Sequence, residues 1–260
     1  SLTGNPISTA GWNLSGNAYV NGSQLTITDP VGGQSGSVFY QTPINIGICN
    51  KWRVDFDFRM FDGNAADGLA FCFLTSYPTG FVSGGGVGIP SSTNGLKIVF
   101  DTYDNGCGFK PEIQVYSGAG YDECSSNIVD RVGSLSFMRN PNFQPASIIY
   151  DNGVITVLVN GVTYLTTYVL VNYSGYMGFT ASTGGNNDSH SIKNVVIYTN
   201  QAASNAGVDK ITCVNTPVQI GSTPNPLYTY SWTPTTGLSD PTIANPTFSA
   251  ASTGNYTYTV

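Results

Sequence analysis

The chain has 260 residues, of which 9% are charged, with nine Lys plus Arg set against fifteen Asp plus Glu for a net charge of -6. Soluble domains usually carry roughly a quarter charged residues, so this one has no basic surface to neutralise a run of phosphates, and nucleic-acid binding is excluded. Long helical bundles need Glu, Lys, Arg and Ala on their exposed faces, and disorder needs low hydrophobicity; at 40% apolar residues, a β-rich protein kept soluble by Ser, Thr, Asn and Gly remains.

Period-two alternation dominates the elements in chain order. Over residues 51–60 the apolar side is Trp52, Val54, Phe56, Phe58 and Met60, while Lys51, Arg53, Asp55, Asp57 and Arg59 alternate against it. A helix brings neither set onto one face, so the pattern predicts a strand with one packed face. Residues 69–74 are continuously apolar, as in a strand covered on both sides. Residues 147–171 predict a meander of three strands joined at Asp151-Asn152-Gly153 and Asn160-Gly161, because tight hairpin turns need positive φ at their central residues. No stretch has the pattern of an amphipathic helix, and the predicted architecture is a large all-β sandwich. Near residue 200 the texture changes. We expect a domain over 1–200, a small polar linker over 201–207, and a partial β-module over 208–260 with Trp232, Tyr228, Tyr230 and Phe248 as core. The closing alternation of Tyr256, Tyr258 and Val260 stops without a turn, so more of the same polypeptide is expected beyond residue 260.

No apolar run approaches the ~20 residues that span a bilayer, so no membrane insertion is expected. The polar opening lacks an initiator Met, as in a mature or trimmed chain. Five cysteines without a CxxC pair, beside one His, argue for disulfides rather than zinc. Cys107 with Cys124 and Cys49 with Cys72 are the expected pairs, though spacing does not fix connectivity, and Cys213 is left over.

Four segments carry chemistry. Asp67, in Asn64-Ala65-Ala66-Asp67-Gly68-Leu69-Ala70-Phe71, stands at a loop exit before a buried strand. Ser83-Gly84-Gly85-Gly86-Val87-Gly88 lets backbone approach a ligand closely. Val99-Phe100-Asp101-Thr102-Tyr103-Asp104-Asn105-Gly106 runs a strand into clustered oxygens, where Asp101, the Tyr103 carbonyl and Asn105 have the chemistry to ligate Ca²⁺. The fourth, residues 178–188, ends in Gly184-Gly185-Asn186-Asn187-Asp188 and is followed by Ser189-His190-Ser191-Ile192. Each alone has a plainer reading as a turn, a loop, or a structural His.

Taken in this order, ADGLAF, the GG-rich loop, FDTYDN and GFTASTGG resemble the legume-type (L-type) lectin domain over residues 8–199. GWNLSGNAY, LTIT and GSVFYQTPI are similar to that family's opening strands. The resemblance implies a jelly-roll (concanavalin-like) sandwich whose sugar site lies on loops at one end of the concave sheet. It implies that Asp67 accepts from sugar hydroxyls, that a backbone N–H at Gly85 or Gly86 donates, and that Asn105 serves both metal and sugar. Gly184, Gly185 and Asn186 would add loop contacts, and Phe109 or Tyr103 an aromatic platform.

The legume pattern is broken at the metals. Val99 stands where that family has a Glu, no Asp in residues 106–111 matches the ion-bridging one, and Glu112 falls where the metal-binding His would be. A transition metal is therefore not expected. One Ca²⁺ held by Asp101, Tyr103, Asn105 and Glu112 is expected, with a site stiffened by a Cys107–Cys124 bridge as the rival. Asp122 and Glu123 would lie near the same rim. The C-terminal ITCVNTPVQIG and YSWTPTTGLSDPTIANP resemble the PKD- or immunoglobulin-like repeats of large Bacteroidetes-type surface adhesion and gliding proteins.

The implied function is the glycan-binding head of a secreted bacterial cell-surface adhesin, with glycans or polysaccharide as partner. The sandwich fold also serves glycoside hydrolases, whose paired carboxylates lie ~5–9.5 Å apart. The sequence has only two Glu, eleven residues apart, and no E-x-D-x-E-like strand, so no enzyme is expected. A structural module that keeps the fold without binding sugar is the other alternative.

Overall fold

The computed structural model describes residues 1–46, 51–199, 205–226 and 228–260. The chain divides into two compact units, Ser1–Thr199 and Asn200–Val260. In the first unit the strands are β1 (Trp12–Gly16), β2 (Tyr19–Asn21), β3 (Gln24–Thr28), β4 (Ser35–Tyr40), β5 (Lys51–Phe61), β6 (Gly68–Leu74) and β7 (Asn94–Asp101). They continue with β8 (Glu112–Ala119), β9 (Ile128–Val132), β10 (Gln144–Asp151), β11 (Val154–Val159), β12 (Val162–Tyr168), β13 (Tyr176–Ser182) and β14 (Ser189–Thr199).

These strands form two seven-stranded antiparallel sheets, ordered β1-β4-β13-β6-β7-β8-β9 and β12-β11-β10-β5-β14-β3-β2. The layers are those of the legume-lectin jelly roll. Alternation on β5 behaves as its pattern predicts: Trp52, Val54, Phe56, Phe58 and Met60 are buried and their neighbours half-buried. Between the sheets Trp52 stacks on Tyr150 with ring centroids 5.4 Å apart, and Phe56 meets Phe179 edge-on at 4.9 Å. Each such side chain removed from water stabilises the fold by about 1.5–3 kcal/mol. Asn152 and Asn160 adopt φ 48° and 52° in the two tight turns of the β10–β12 meander.

The first sheet also has a covered outer face, which explains the unbroken apolar run of β6. Leu69, Phe71 and Phe73 point into the inter-sheet core, while Ala70, Cys72 and Leu74 join Phe39, Val87, Ile89 and Val99 in a second cluster. Val87 and Ile89 belong to the connection between β6 and β7, which folds back over that face. This arrangement corrects one expectation. Cys72 is a free thiol, fully buried, whose pKa burial pushes up to about 12. The bridge expected to it is not formed; Cys49 itself lies outside the described residues. Cys107 and Cys124 are joined, with Cα atoms 5.5 Å apart.

The second unit is small, with β15 (Val218–Gln219) paired antiparallel to β16 (Thr247–Phe248). Its core is Trp232, Ala244, Phe248 and Ala250, and the Trp232 indole N–H donates to the Ile243 carbonyl at 2.9 Å. Tyr228 and Tyr230 are half-buried rather than central. Thr259 exchanges two backbone hydrogen bonds with Thr233, at 2.8 and 2.9 Å.

Candidate functional site

Register places the four sequence motifs. In the first sheet Ser182 pairs with Gly68, Gly68 with Asp101, and Asp101 with Glu112. The end of β13, the start of β6, the end of β7 and the start of β8 therefore stand in one row. Segments separated by more than a hundred residues become neighbouring loops at one end of one sheet.

Asp67 is fixed through its backbone. Its N–H donates to the Ser182 carbonyl at 3.1 Å, and its own carbonyl accepts from the Thr102 N–H at 2.9 Å and the Thr102 hydroxyl at 3.1 Å. The Ala66–Asp67 peptide is cis. The residue is only 3% exposed, yet its Oδ2 has no hydrogen-bond partner among the described residues. Burial pushes its carboxyl up to about 6, only partly opposed by the Gly184 backbone. A buried carboxylate oxygen with no partner is costly unless something outside the chain donates to it.

That something has room. Ala66, Asp67, Gly84, Gly85, Tyr103, Asn105, Gly184, Gly185 and Asn186 line a cleft of about 260 Å³. The Gly84–Gly86 segment is a single 3-10 turn tied to the β13 exit: the Gly84 N–H donates to the Thr183 carbonyl at 3.3 Å, and the Ser182 hydroxyl to the Gly84 carbonyl at 2.8 Å. A Cβ at Gly85 would stand 2.8 Å from Asn105 Nδ2, so a side chain there would displace the Asn105 carboxamide. Gly86 is buried against Val82 and does not line the cleft; Gly84 takes that place. Tyr103 lines it as well, whereas the Phe109 ring does not and is 76% exposed. Asn186 is oriented by Asn64, whose amide donates to its Oδ1 at 2.8 Å.

Next along the same row of strand ends are three buried carboxylates, Asp101, Glu112 and Glu123, one oxygen of each lying within 4.8 Å of the others. As a donor set they suit a hard cation, which takes several oxygens at about 2.3–2.6 Å. Lys110 reaches the same centre, 2.8 Å from Asp101 and 2.6 Å from each Glu. Arg131 approaches Glu112 at 3.6 Å, and the Tyr121 hydroxyl lies 3.0 Å from Asp101. Burial pushes Asp101 up to about 7 against the Lys110 charge. Burial also opposes the Lys110 ammonium, but the Asp101 charge and hydrogen bonds to all three acids outweigh it and raise its pKa. Asp122 is exposed, its Oδ1 accepting from the Cys124 N–H at 2.9 Å.

Sequence reasoning missed two features. Lys110 is one; its signal was a lone basic residue within a loop region holding Asp101, Asp104, Glu112, Asp122 and Glu123. The other is Asp188, fully buried, which accepts two hydrogen bonds from Arg139 (2.8 and 3.0 Å) and one from the Gly63 N–H at 2.7 Å. That network clamps the 62–65 loop to the 184–188 loop. His190 is structural: it is fully buried, its Nδ1 lies 2.7 Å from the Thr28 hydroxyl, and burial brings its pKa down to about 4.

A two-sheet sandwich with a loop-end cleft around a buried Asp whose Oδ2 is unpaired among the described residues, beside a buried acidic cluster, defines a lectin-type fold. The legume-like lectin family model matches residues 3–206, and the chain belongs to that family. Among curated proteins it is similar to protein ERGIC-53 of Rattus norvegicus (27% identical over 205 residues) and of Homo sapiens (26% identical). Each match covers 72% of this chain but only 38% and 39% of the relatives' own length. Among solved structures, the VIP36 exoplasmic/lumenal domain in its Ca²⁺/Man3GlcNAc-bound form superimposes with TM-score 0.63 at 20% identity, covering 74% of this chain and 85% of that one. The Emp46p carbohydrate recognition domain in its metal-free form gives 0.59 at 18% identity, covering 73% and 88%. VIP36 has also been crystallised Ca²⁺-bound without sugar and metal-free, so its fold exists in both states.

Proposed function

We propose that the first unit binds carbohydrate in the Asp67 cleft. One observation carries this reading: a buried carboxylate oxygen left without a partner, at the floor of a cleft lined by glycine backbone and a carboxamide. Vicinal sugar hydroxyls supply the missing donors, and Asn105 and the Gly85 backbone complement their oxygens. Tyr103, rather than Phe109, is placed to face the apolar side of the ring. Among the described residues that line the cleft Asp67 is the one carboxylate, and in this reading it binds sugar without hydrolysing it.

Calcium would be held by Asp101, the Tyr103 carbonyl, Asn105 and Glu112, where it would supply charge neutralisation and fix Asn105. VIP36, crystallised with Ca²⁺ and with mannose, makes mannose-bearing glycans the first class to test. In the wider protein this unit is a glycan-binding head of a secreted bacterial cell-surface adhesin, with the second unit as a PKD-like spacer. The sequence resemblance of residues 208–260 supports that placing.

The test is a glycan array, with mannose-bearing glycans included, probed with the full chain and with Asp67→Ala. Binding by the wild type that is lost in the variant is expected. A wild type that retains no glycan, with or without calcium, would leave a structural module in place of a lectin.

A further inference from the structure

The loop from Tyr103 to Phe109 carries Asn105 into the cleft, and it is held from behind by one repeated device. Asp101 Oδ1 accepts from the Tyr103 N–H at 3.1 Å, Glu123 Oε1 from the Cys107 N–H at 3.4 Å, and Glu112 Oε2 from the Phe109 N–H at 3.2 Å. The other oxygen of each carboxylate faces the Lys110 ammonium, at 2.8, 2.6 and 2.6 Å in the same order. An ammonium has three hydrogens, and here three carboxylates surround it, from the end of β7, the start of β8 and the loop after β8. The Lys110 side chain is 5% exposed, and the three acids are 1%, 0% and 4% exposed. Calcium needs six to eight oxygens around it, and an ammonium supplies none. The two cations therefore exclude each other from this centre.

We propose that Lys110 is the resident cation of this cluster: it shapes the Asn105 loop without calcium, and calcium enters only by displacing it. The significance for sugar binding rests on the carbohydrate reading above. The competition between lysine and calcium does not.

Thermal unfolding of the full chain, in chelator and in millimolar calcium, tests the competition. Wild type is expected to melt at nearly the same temperature in both. Lys110→Met should melt lower in chelator and gain about 5 °C or more from calcium, which then has the three carboxylates to itself. A wild type that gains as much from calcium as the variant overturns the proposal. Should Lys110→Met not fold in either condition, Lys110→Met/Glu112→Gln, with one fewer buried charge, is expected to recover folding; failure to recover also overturns it. On a glycan retained by the wild-type chain, wild type should stay bound in chelator, while Lys110→Met binds only with calcium. If no glycan is retained by either protein, the carbohydrate reading fails while the melting result still decides the role of Lys110.

Discussion

Asp67 and Asp101 sit at neighbouring strand ends, one residue off a shared register pair, and both are nearly inaccessible to water. Burial raises the pKa of each, to about 6 and about 7. Their surroundings then diverge. Asp101 is saturated from within, by Lys110, Tyr121 and the Tyr103 N–H, whereas Asp67 has an oxygen that nothing among the described residues satisfies. A raised pKa therefore does not identify a binding carboxylate; the list of its partners does. One acid is scaffold, and on the carbohydrate reading the other is reserved for a guest.

The sharpest way to break this contrast is to damage the scaffold side. Glu112→Ala leaves Lys110 with fewer counter-charges in a buried site, and breaking such a pair costs about 3–5 kcal/mol; denaturant unfolding should show the loss. Asp67→Ala is expected to do the reverse. Glycan affinity should fall by the worth of hydrogen bonds to a charged group, about 1.5–3 kcal/mol or roughly 10- to 150-fold. Its melting temperature should stay level or rise, because a costly buried charge is gone.

Acid offers a reversible version of the same change. Raised from 3.8 to about 6, the Asp67 group by itself favours the folded state below the unfolded pKa, and that contribution is lost as pH rises through about 6. Sugar hydroxyls prefer the ionised form, so affinity runs the other way. It should fall about tenfold at pH 5 relative to the plateau above pH 7, one decade per proton taken up. Titration calorimetry across that range should find the dependence in wild type and not in Asp67→Asn. The smallest expected effect is that of Gly85→Ala, whose methyl meets the Asn105 carboxamide at 2.8 Å. A displacement of that one amide should weaken glycan binding by about 1 kcal/mol, roughly fivefold, with stability unchanged.

Much of the first unit was legible in the sequence. The alternation from Trp52 to Met60 and the turns at Asn152 and Asn160 are local patterns, and local patterns survive folding. Asp67, Gly85, Asn105, Gly184, Gly185 and Asn186, expected together from the order of their motifs, line one cleft. What escaped notice depends on distant partners. The inward course of Lys110 follows from Glu123 arriving beneath it, thirteen residues later in the chain. Asp188 depends on Arg139, 49 residues before it. Cys72 looked available for a bridge because the β6–β7 connection that buries it cannot be inferred from the β6 pattern.

The row formed by Ser182, Gly68, Asp101 and Glu112 has a consequence for how this site can change. Three of the loops that line the cleft leave the sheet from the same rung, while Gly84 and Gly85 are carried to it by the long β6–β7 connection. Loop length can then vary above a fixed base, as interchangeable fittings vary on one socket. A transplanted 184–186 segment, flanked by the buried Thr183 and by Asn187, should alter which glycan is held while leaving the melting temperature near its original value. On the carbohydrate reading, specificity and stability are then separable traits.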